Sequence, residues 1–167
     1  MYIHSHFSQE LDRDDLMENC GVKGNIDGVR KMIEKFGAEV VVNARNRFGP
    51  CLHFAAFFNH SDIIDLLVEN GADVDQELDN GDPPLRFAIN NRSYSAITTL
   101  INLGASLEKA KAGIADANYF NESMKEEKTI EAIEKGKRLA GEKKINRKNY
   151  NMYSRYRLDL EIWGNSY

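Results

Sequence analysis

Four histidines and two cysteines are the side chains of this sequence best suited to metal binding or nucleophilic chemistry. His4 and His6 would lie on one side of an extended segment, but no cysteine or carboxylate accompanies them at a recognised ligand spacing. The sequence also has no phosphate-binding loop, no nucleophile elbow, no zinc-protease motif and no pair of carboxylates that can be placed in a cleft. We therefore predict no catalytic residue, no metal ligand and no cofactor.

The two cysteines fall in segments that have a helical pattern. They are Cys20 and Cys51. We predict that both are buried, unreactive thiols in a reducing compartment. A disulfide or a reactive cysteine is the alternative that the sequence leaves open.

Composition favours one compact domain. The chain has 167 residues, 42% of them hydrophobic, and a formal net charge of −4, which suffices for a single core. No apolar run approaches the roughly 18 residues of a membrane span, and Met1–Arg13 lacks the basic start and apolar stretch of a signal peptide. We predict a cytoplasmic protein, in the producing cell or in a host cell if it is delivered there, with no membrane partner.

The elements that would position these side chains recur along the sequence as a repeat marked by glycines. Gly37, Gly71, Gly104 and Gly136 are separated by 34, 33 and 32 residues. A period of about 33 residues is typical of a solenoid in which each unit is one supersecondary element. Stacked units of this kind usually form surfaces rather than active sites.

The two central units match position by position. Leu52-His53-Phe54-Ala55-Ala56 aligns with Leu85-Arg86-Phe87-Ala88-Ile89, and each unit reads as two short helices closed by a glycine. We predict hairpin-like turns near Asn43–Gly49, Asp75–Gly81 and Glu108–Gly113. The residues predicted to be buried share repeat-equivalent apolar positions: Leu52, Ala55, Leu67, Leu85, Ala88 and Leu100.

These motifs resemble the ankyrin-repeat family. Gly81-Asp82-Pro83-Pro84-Leu85-Arg86-Phe87-Ala88 is similar to the family's G-x-T-P-L-H-x-A pattern, and Gly71-Ala72-Asp73-Val74-Asp75 is similar to G-A-D-V-N. The match is strong over Asn43–Glu108. Arg86 replaces the usual His, and Asn59 replaces Gly. The resemblance implies an all-α solenoid of about four helix-turn-helix units with hairpin-like connecting loops.

The predicted domains differ in their charge balance. We expect an N-terminal segment (1–13), a repeat domain (14–136, with units near 14–42, 43–75, 76–108 and 109–136) and a basic, aromatic-containing extension (137–167). The extension has eight Lys and Arg against three Asp and Glu, a balance of +5, whereas residues 1–136 have 14 against 23, a balance of −9. Three interpretations of the extension stay open: it folds back or is disordered, it contacts a protein or acidic surface, or it binds nucleic acid.

In the family that this chain resembles, partners commonly contact the hairpin tips and the concave face of the first helices. The resemblance implies partner-binding positions at the tips and on the first helices: Arg47, Phe48, Glu77, Asp79, Asn80, Asp82, Phe57, Phe58, Asn90 and Asn91. Phe57 and Phe58 are prominent among them, because aromatic anchors carry much of the binding energy of interfaces.

The function implied is non-catalytic binding of another protein, which the chain would block or scaffold as an inhibitor, a viral decoy, an immunity protein or an effector. We expect a monomer when free, and an acidic body that suits a basic partner surface. Two alternatives remain: a nucleic-acid-binding adaptor that works through the basic extension, and an enzyme with an unrecognised site.

Overall fold

The computed structural model describes residues 10–113 and 117–144. His4, His6 and most of the basic extension lie outside the described residues. The helices are α1 (Arg13–Cys20), α2 (Ile26–Phe36), α3 (Ala38–Asn43), α4 (Cys51–Phe57), α5 (Ser61–Glu69), α6 (Pro84–Asn90), α7 (Tyr94–Leu103), α8 (Leu107–Ala112) and α9 (Ala117–Lys125). A further helix, α10, covers residues 127–144. Two short strands, β1 (Arg45–Asn46) and β2 (Gly49–Pro50), lie between α3 and α4.

Helix pairs stack side by side in two layers. The first helices of the pairs contact one another in the order α1, α4, α6, α9, and the second helices in the order α2, α5, α7. The layer of second helices continues into α10, because the hydroxyl of Thr98 in α7 donates to the carbonyl of Ala132, 3.1 Å away. The predicted domain boundary at residue 136 falls inside α10. The all-α repeat architecture predicted from the sequence is confirmed.

The core lies between the two layers. Leu52, Ala55, Leu67, Leu85, Ala88 and Leu100, which the repeat pattern predicts to be buried, are each at most 1% exposed. Each unit presents its apolar stripe to the next unit, so burial recurs with the period of the repeat.

A left-handed residue separates the two helices of each of the first three pairs. Gly24, Asn59 and Arg92 have φ values of 56°, 65° and 56°. Asn tolerates this conformation better than most residues with a Cβ. The Asn59 side chain also accepts a hydrogen bond from the backbone N–H of Ala96, 3.0 Å away in the first turn of α7. The turn therefore keeps its geometry without glycine and gains a bond to the next unit.

The three predicted hairpin turns differ. Near Asn43–Gly49 the prediction is confirmed, because β1 and β2 pair antiparallel around Arg47 and Phe48. The Asp75–Gly81 turn has no strand pairing. At Glu108–Gly113 the prediction is wrong: the chain forms α8, whose N-cap Ser106 accepts a hydrogen bond from the Lys109 N–H. A capping serine followed by good helix formers favours a helical turn there.

The prediction of two free thiols is also wrong. Cys20 and Cys51 are both fully buried, as expected, but they form a disulfide with Cα atoms 5.7 Å apart. The last residue of α1 lies against the first residue of α4, because these two helices pack side by side. The pattern of residue types along the chain does not reveal that Cys20 and Cys51 are neighbours, because their proximity depends on the register between two units.

Candidate functional site

Five phenylalanines and one histidine surround an open pocket of about 270 Å³. We call it the aromatic pocket; its lining residues are Phe48, His53, Phe54, Phe57, Phe58 and Phe87. Phe48 comes from the β1–β2 turn, three phenylalanines come from α4 and its C-terminal cap, and Phe87 comes from α6. The structure thus brings together all three phenylalanines that the sequence singles out.

The rings predicted to face a partner are accessible. Phe48 is 60% exposed, and Phe57 and Phe58 are each 39% exposed. The rings of Phe57 and Phe58 also contact each other edge to face, with centroids 5.1 Å apart and planes at 75°. Each ring therefore packs against its neighbour on one side and leaves apolar surface open to solvent on the other.

Sequence reasoning missed Phe54 and Phe87. These residues are 33 positions apart and occupy the same place in successive units, each following a buried residue of the first helix. Both are half-buried, and Phe87 meets the buried His53 ring edge to face at 5.2 Å. The signal that could have found them is the repeat register itself, which places both side chains on the same face as the exposed rings.

Hydrogen bonds from the next unit fix the end of α4. The backbone carbonyl of Phe57 accepts from the Asn91 side-chain amide at 2.7 Å and from the Ser93 hydroxyl at 2.7 Å. Asn91, a predicted contact residue, is exposed, and its hydrogen bond to Phe57 also holds the pocket in place. Asn90, the other predicted contact residue of this segment, is half-buried. Two bonds to one carbonyl restrict the backbone that presents Phe57 and Phe58.

The preceding unit packs against two of the pocket's rings. A Cβ atom at Gly21 would lie 3.1 Å from the Phe58 ring and 3.2 Å from the Phe54 ring, so the backbone of Gly21 packs closely against both. Nε2 of His60 donates a hydrogen bond to the Gly21 carbonyl, 2.6 Å away. The His60 ring is nearly parallel to Phe58, with an angle of 13° and centroids 6.5 Å apart.

The floor of the pocket is uncharged at neutral pH. Burial lowers the pKa of His53 from its ordinary 6.5 to about 4, because a charged imidazolium loses its hydration there. Nε2 of His53 donates a hydrogen bond to the backbone carbonyl of Asp82, 3.1 Å away, which partly opposes this lowering of the pKa.

A second depression, the tip groove, adjoins the aromatic pocket. Its volume is about 460 Å³, and its lining residues are Arg45, Asn46, Arg47, Phe48, Gly49, Leu78, Asp79 and Asn80. Phe48 lines both depressions. The guanidinium carbon of Arg47 lies 4.6 Å from the centroid of the Phe48 ring. An apolar pocket and a polar, partly cationic groove therefore share one wall.

Ion pairs connect successive tips. Arg45 lies 3.8 Å from Asp79, and Lys109 lies 3.4 Å from Glu77. Glu77, Asp79 and Asn80 are exposed, as the sequence predicts for residues at a tip. The carboxylates of Glu77 and Asp79 are thus accessible but already face cations of neighbouring units.

Asp82 is not accessible at its tip, and we leave it out of the site. Its side chain is buried, and its carboxylate lies 3.1 Å from Nε of the equally buried Arg86. Arg86 also donates to the carbonyl of Ala110 at 2.8 Å and stacks on Phe120, 4.4 Å from the ring centroid. Asp82 and Arg86 therefore hold the third helix pair against α8 and α9.

Val22 is an exposed apolar residue of the N-terminal unit. It precedes the left-handed Gly24 by two residues, just as Phe57 precedes the left-handed Asn59. Its side chain is 72% exposed. The register of the left-handed turns thus places Val22 and Phe57 at equivalent positions, two residues before the left-handed residue of successive units.

The part of the chain that the structure describes has neither a cluster of metal-binding side chains nor a helix that could span a membrane. Residues 10–113 and 117–144 contain no group of three or more His, Cys, Asp or Glu side chains that could hold a metal ion. No helix within these ranges combines the length and the apolar character needed to cross a membrane.

Stacked helix pairs with an open surface on their first helices define a helical-repeat protein. A family model of ankyrin repeats in three copies matches residues 16–111, which is more than half of the chain. The chain therefore belongs to the ankyrin-repeat family. Ankyrin repeats are generally protein–protein interaction modules and are typically non-catalytic. Comparison with curated proteins gives no match.

Proposed function

We propose that this protein binds another protein through the aromatic pocket and the tip groove, and that it blocks or scaffolds that partner without catalysing a reaction. The observation that carries the proposal is the gathering of five phenylalanines around one open pocket on the first helices. Contiguous exposed apolar surface with a polar rim is typical of an interaction site, and aromatic side chains dominate binding energy at interface centres.

The size of the pocket supports a protein ligand. At about 270 Å³ it is close to the lower end of the roughly 300–1,000 Å³ of typical small-molecule and cofactor sites. A single bulky side chain of a partner needs less room than a cofactor. The pocket therefore suits an apolar anchor residue at the centre of a larger contact.

The rigidity of the site supports blocking or scaffolding. The Phe57 carbonyl is held by two hydrogen bonds, and the Gly21 backbone packs closely against the rings of Phe54 and Phe58. A preformed surface loses little conformational entropy on docking, so more of the contact energy appears as affinity. This suits an inhibitor, immunity or effector role in which a free monomer engages one partner.

The test is the double substitution Phe57→Ser and Phe58→Ser. Tagged protein from the native cell should capture its partner when it is wild type and lose that partner in the double variant, because the anchor site no longer offers apolar surface. We expect the melting temperature to stay nearly unchanged, since both rings are partly exposed.

A matched control removes two exposed apolar side chains elsewhere. Val40 is 52% exposed and Ile130 is 49% exposed, and neither lines the aromatic pocket. The Val40→Ser, Ile130→Ser variant should keep the partner that mass spectrometry identifies. Retention of the partner by the Phe57→Ser, Phe58→Ser variant would refute the proposed site, and a large fall in its melting temperature would show that the rings support the core.

The cytoplasmic location predicted from the sequence stays a prediction. The bond between Cys20 and Cys51 weighs against it, because cytosolic glutathione and thioredoxin keep most thiols reduced. Trapping free thiols with an alkylating reagent in native cells, followed by mass spectrometry, measures the fraction of bonded protein. If both cysteines are fully alkylated once the protein is unfolded in the presence of the reagent, the bond was absent in the cell, and this result would favour a cytoplasmic location.

A further inference from the structure

We propose that the partner presents an acidic segment with one bulky apolar side chain. The apolar side chain enters the aromatic pocket, and a neighbouring carboxylate binds Arg45 and Arg47 in the tip groove. This inference rests on the proposed function and names the chemistry of the segment that the site recognises.

The adjacency of the two depressions is the first support. Phe48 separates the aromatic pocket from the tip groove and lines both. The Arg47 guanidinium lies over the Phe48 ring, 4.6 Å from its centroid. A cation is therefore held at the edge of an apolar pocket, within reach of the residues that flank an anchor side chain in a partner segment.

The availability of both arginines is the second support. Within the described residues Arg47 is exposed and takes part in no ion pair. The pair formed by Arg45 and Asp79 is 3.8 Å long, and the Asp79 side chain is fully exposed. Such a surface pair contributes little to stability. A partner carboxylate can replace Asp79 and form bidentate hydrogen bonds with a guanidinium group.

The local charge is opposite to that of the chain as a whole. The chain has a net charge of −4, yet the charged residues that line the tip groove are Arg45, Arg47 and Asp79, a balance of +1. Charge complementarity at the contact itself governs orientation and discrimination between partners. The segment that enters the site should therefore be acidic, although the overall charge of the chain favours a basic partner.

The geometry of the rings favours a peptide over a nucleic acid. Single-stranded nucleic acids bind where aromatic faces are open for bases to stack. Here Phe57 and Phe58 meet at 75°, and His53 and Phe87 meet at 89°. Edge-to-face contacts cover part of each ring face and enclose a pocket, which receives a side chain better than a row of bases.

A display library of random peptides, selected on the full-length protein, tests this chemistry. The enriched peptides should share a Trp, Phe or Leu with Asp or Glu close to it. The most enriched peptide, labelled with fluorescein, is then measured by fluorescence anisotropy on purified variants. Arg45→Gln with Arg47→Gln should weaken binding about tenfold or more, as expected for loss of charge-assisted hydrogen bonds.

The matched control removes the same charge from other exposed sites. Lys111 and Lys125 form exposed pairs with Glu108 and Glu122, respectively, and line neither depression. Lys111→Gln with Lys125→Gln should change peptide affinity by less than about twofold. If the double arginine variant unfolds, Arg47→Gln alone serves, because that side chain is exposed and is not in an ion pair of the described residues.

The outcomes separate this inference from the proposed function. Peptide binding that is lost in the Phe57→Ser, Phe58→Ser variant but unchanged in the arginine variant overturns the inference and leaves the proposed function in place. Binding that survives the phenylalanine substitutions contradicts the proposed function itself. Enrichment of basic peptides, absence of any enriched peptide, or tight binding of labelled oligothymidylate that needs Phe57 and Phe58 each overturns the acidic-segment proposal.

Discussion

His53 shows how strongly position alters the chemistry of a single residue. Its ring is 1% exposed, lies under the aromatic pocket and donates to the Asp82 carbonyl. The equivalent position of the next unit holds Arg86, which pairs with Asp82 instead of contributing to the pocket. One repeat position therefore supplies a neutral floor in one unit and a buried charge in the next.

The lowered pKa of His53 predicts a pH-dependent stability. The folded value is about 4 and the ordinary value is 6.5, so the unfolded chain binds more protons between these two values. Stability should rise with pH across that window, and the contribution of His53 should be lost as the pH falls from 6.5 toward 4. The full loss is on the order of 3 kcal/mol.

Urea denaturation at a series of pH values checks this prediction. His53→Gln keeps a neutral donor near the Asp82 carbonyl, and the part of the pH dependence due to His53 should vanish. His60→Gln is the matched control and should retain the dependence, because His53 is still present. Identical slopes for wild type and His53→Gln would contradict the prediction.

The sequence predicts which residues share a surface only where the repeat register is enough. Phe48, Phe57 and Phe58 follow recognisable motif positions, and the structure brings them together around one pocket. Asp82 was misplaced because its burial depends on Arg86, a substitution within the motif whose partner could not be read from the pattern. A buried ion pair is a property of two neighbouring side chains and of the unit that covers them.

At the scale of elements, the glycine spacing and apolar stripes predicted the stacked helix pairs. The same pattern did not predict α8, because the Ser106 cap and the helix formers that follow it act locally at the third tip. It also did not predict which helix ends meet between units. The contact of α1 with α4 was accessible only from the three-dimensional register.

That contact leads to a prediction for the Cys20–Cys51 disulfide. The bond joins the end of α1 to the start of α4 across 31 residues of sequence. In the chain-entropy model, closing a loop of this length stabilises the folded state by about 4 kcal/mol. Reduction should therefore lower the urea midpoint, because the unfolded chain regains the freedom that the loop removed.

Urea denaturation with and without dithiothreitol measures this effect. Cys20→Ala with Cys51→Ala is the control, and its midpoint should not respond to the reductant. Equal midpoints for oxidised and reduced wild type would contradict the prediction. A reduced protein that still binds its partner would show that the disulfide is not needed to hold the aromatic pocket.

Across the whole molecule, charge is unevenly distributed. Residues 1–136 carry 14 basic and 23 acidic side chains, whereas 137–167 carry eight basic and three acidic ones. The described end of the basic extension lies near the acidic body: burial raises the pKa of Asp65, and the positive charge of Lys143 opposes that rise. The basic residues of α10 are thus partly matched by carboxylates of the same chain.

This matching predicts that the full-length protein does not bind nucleic acid appreciably at physiological salt. The acidic body repels phosphates, and its carboxylates compete for the extension at the high effective concentration of an intramolecular contact. Fluorescence anisotropy with labelled single- and double-stranded oligonucleotides measures the binding. A variant that lacks residues 145–167 is the control, since it leaves the described part of α10 whole.

If phosphates were bound, the affinity for nucleic acid would fall steeply as salt rises, because each neutralised phosphate releases counterions. Tight, salt-sensitive binding that disappears in the truncated variant would favour the nucleic-acid adaptor over the protein-binding function, since the truncation removes no residue that lines the aromatic pocket.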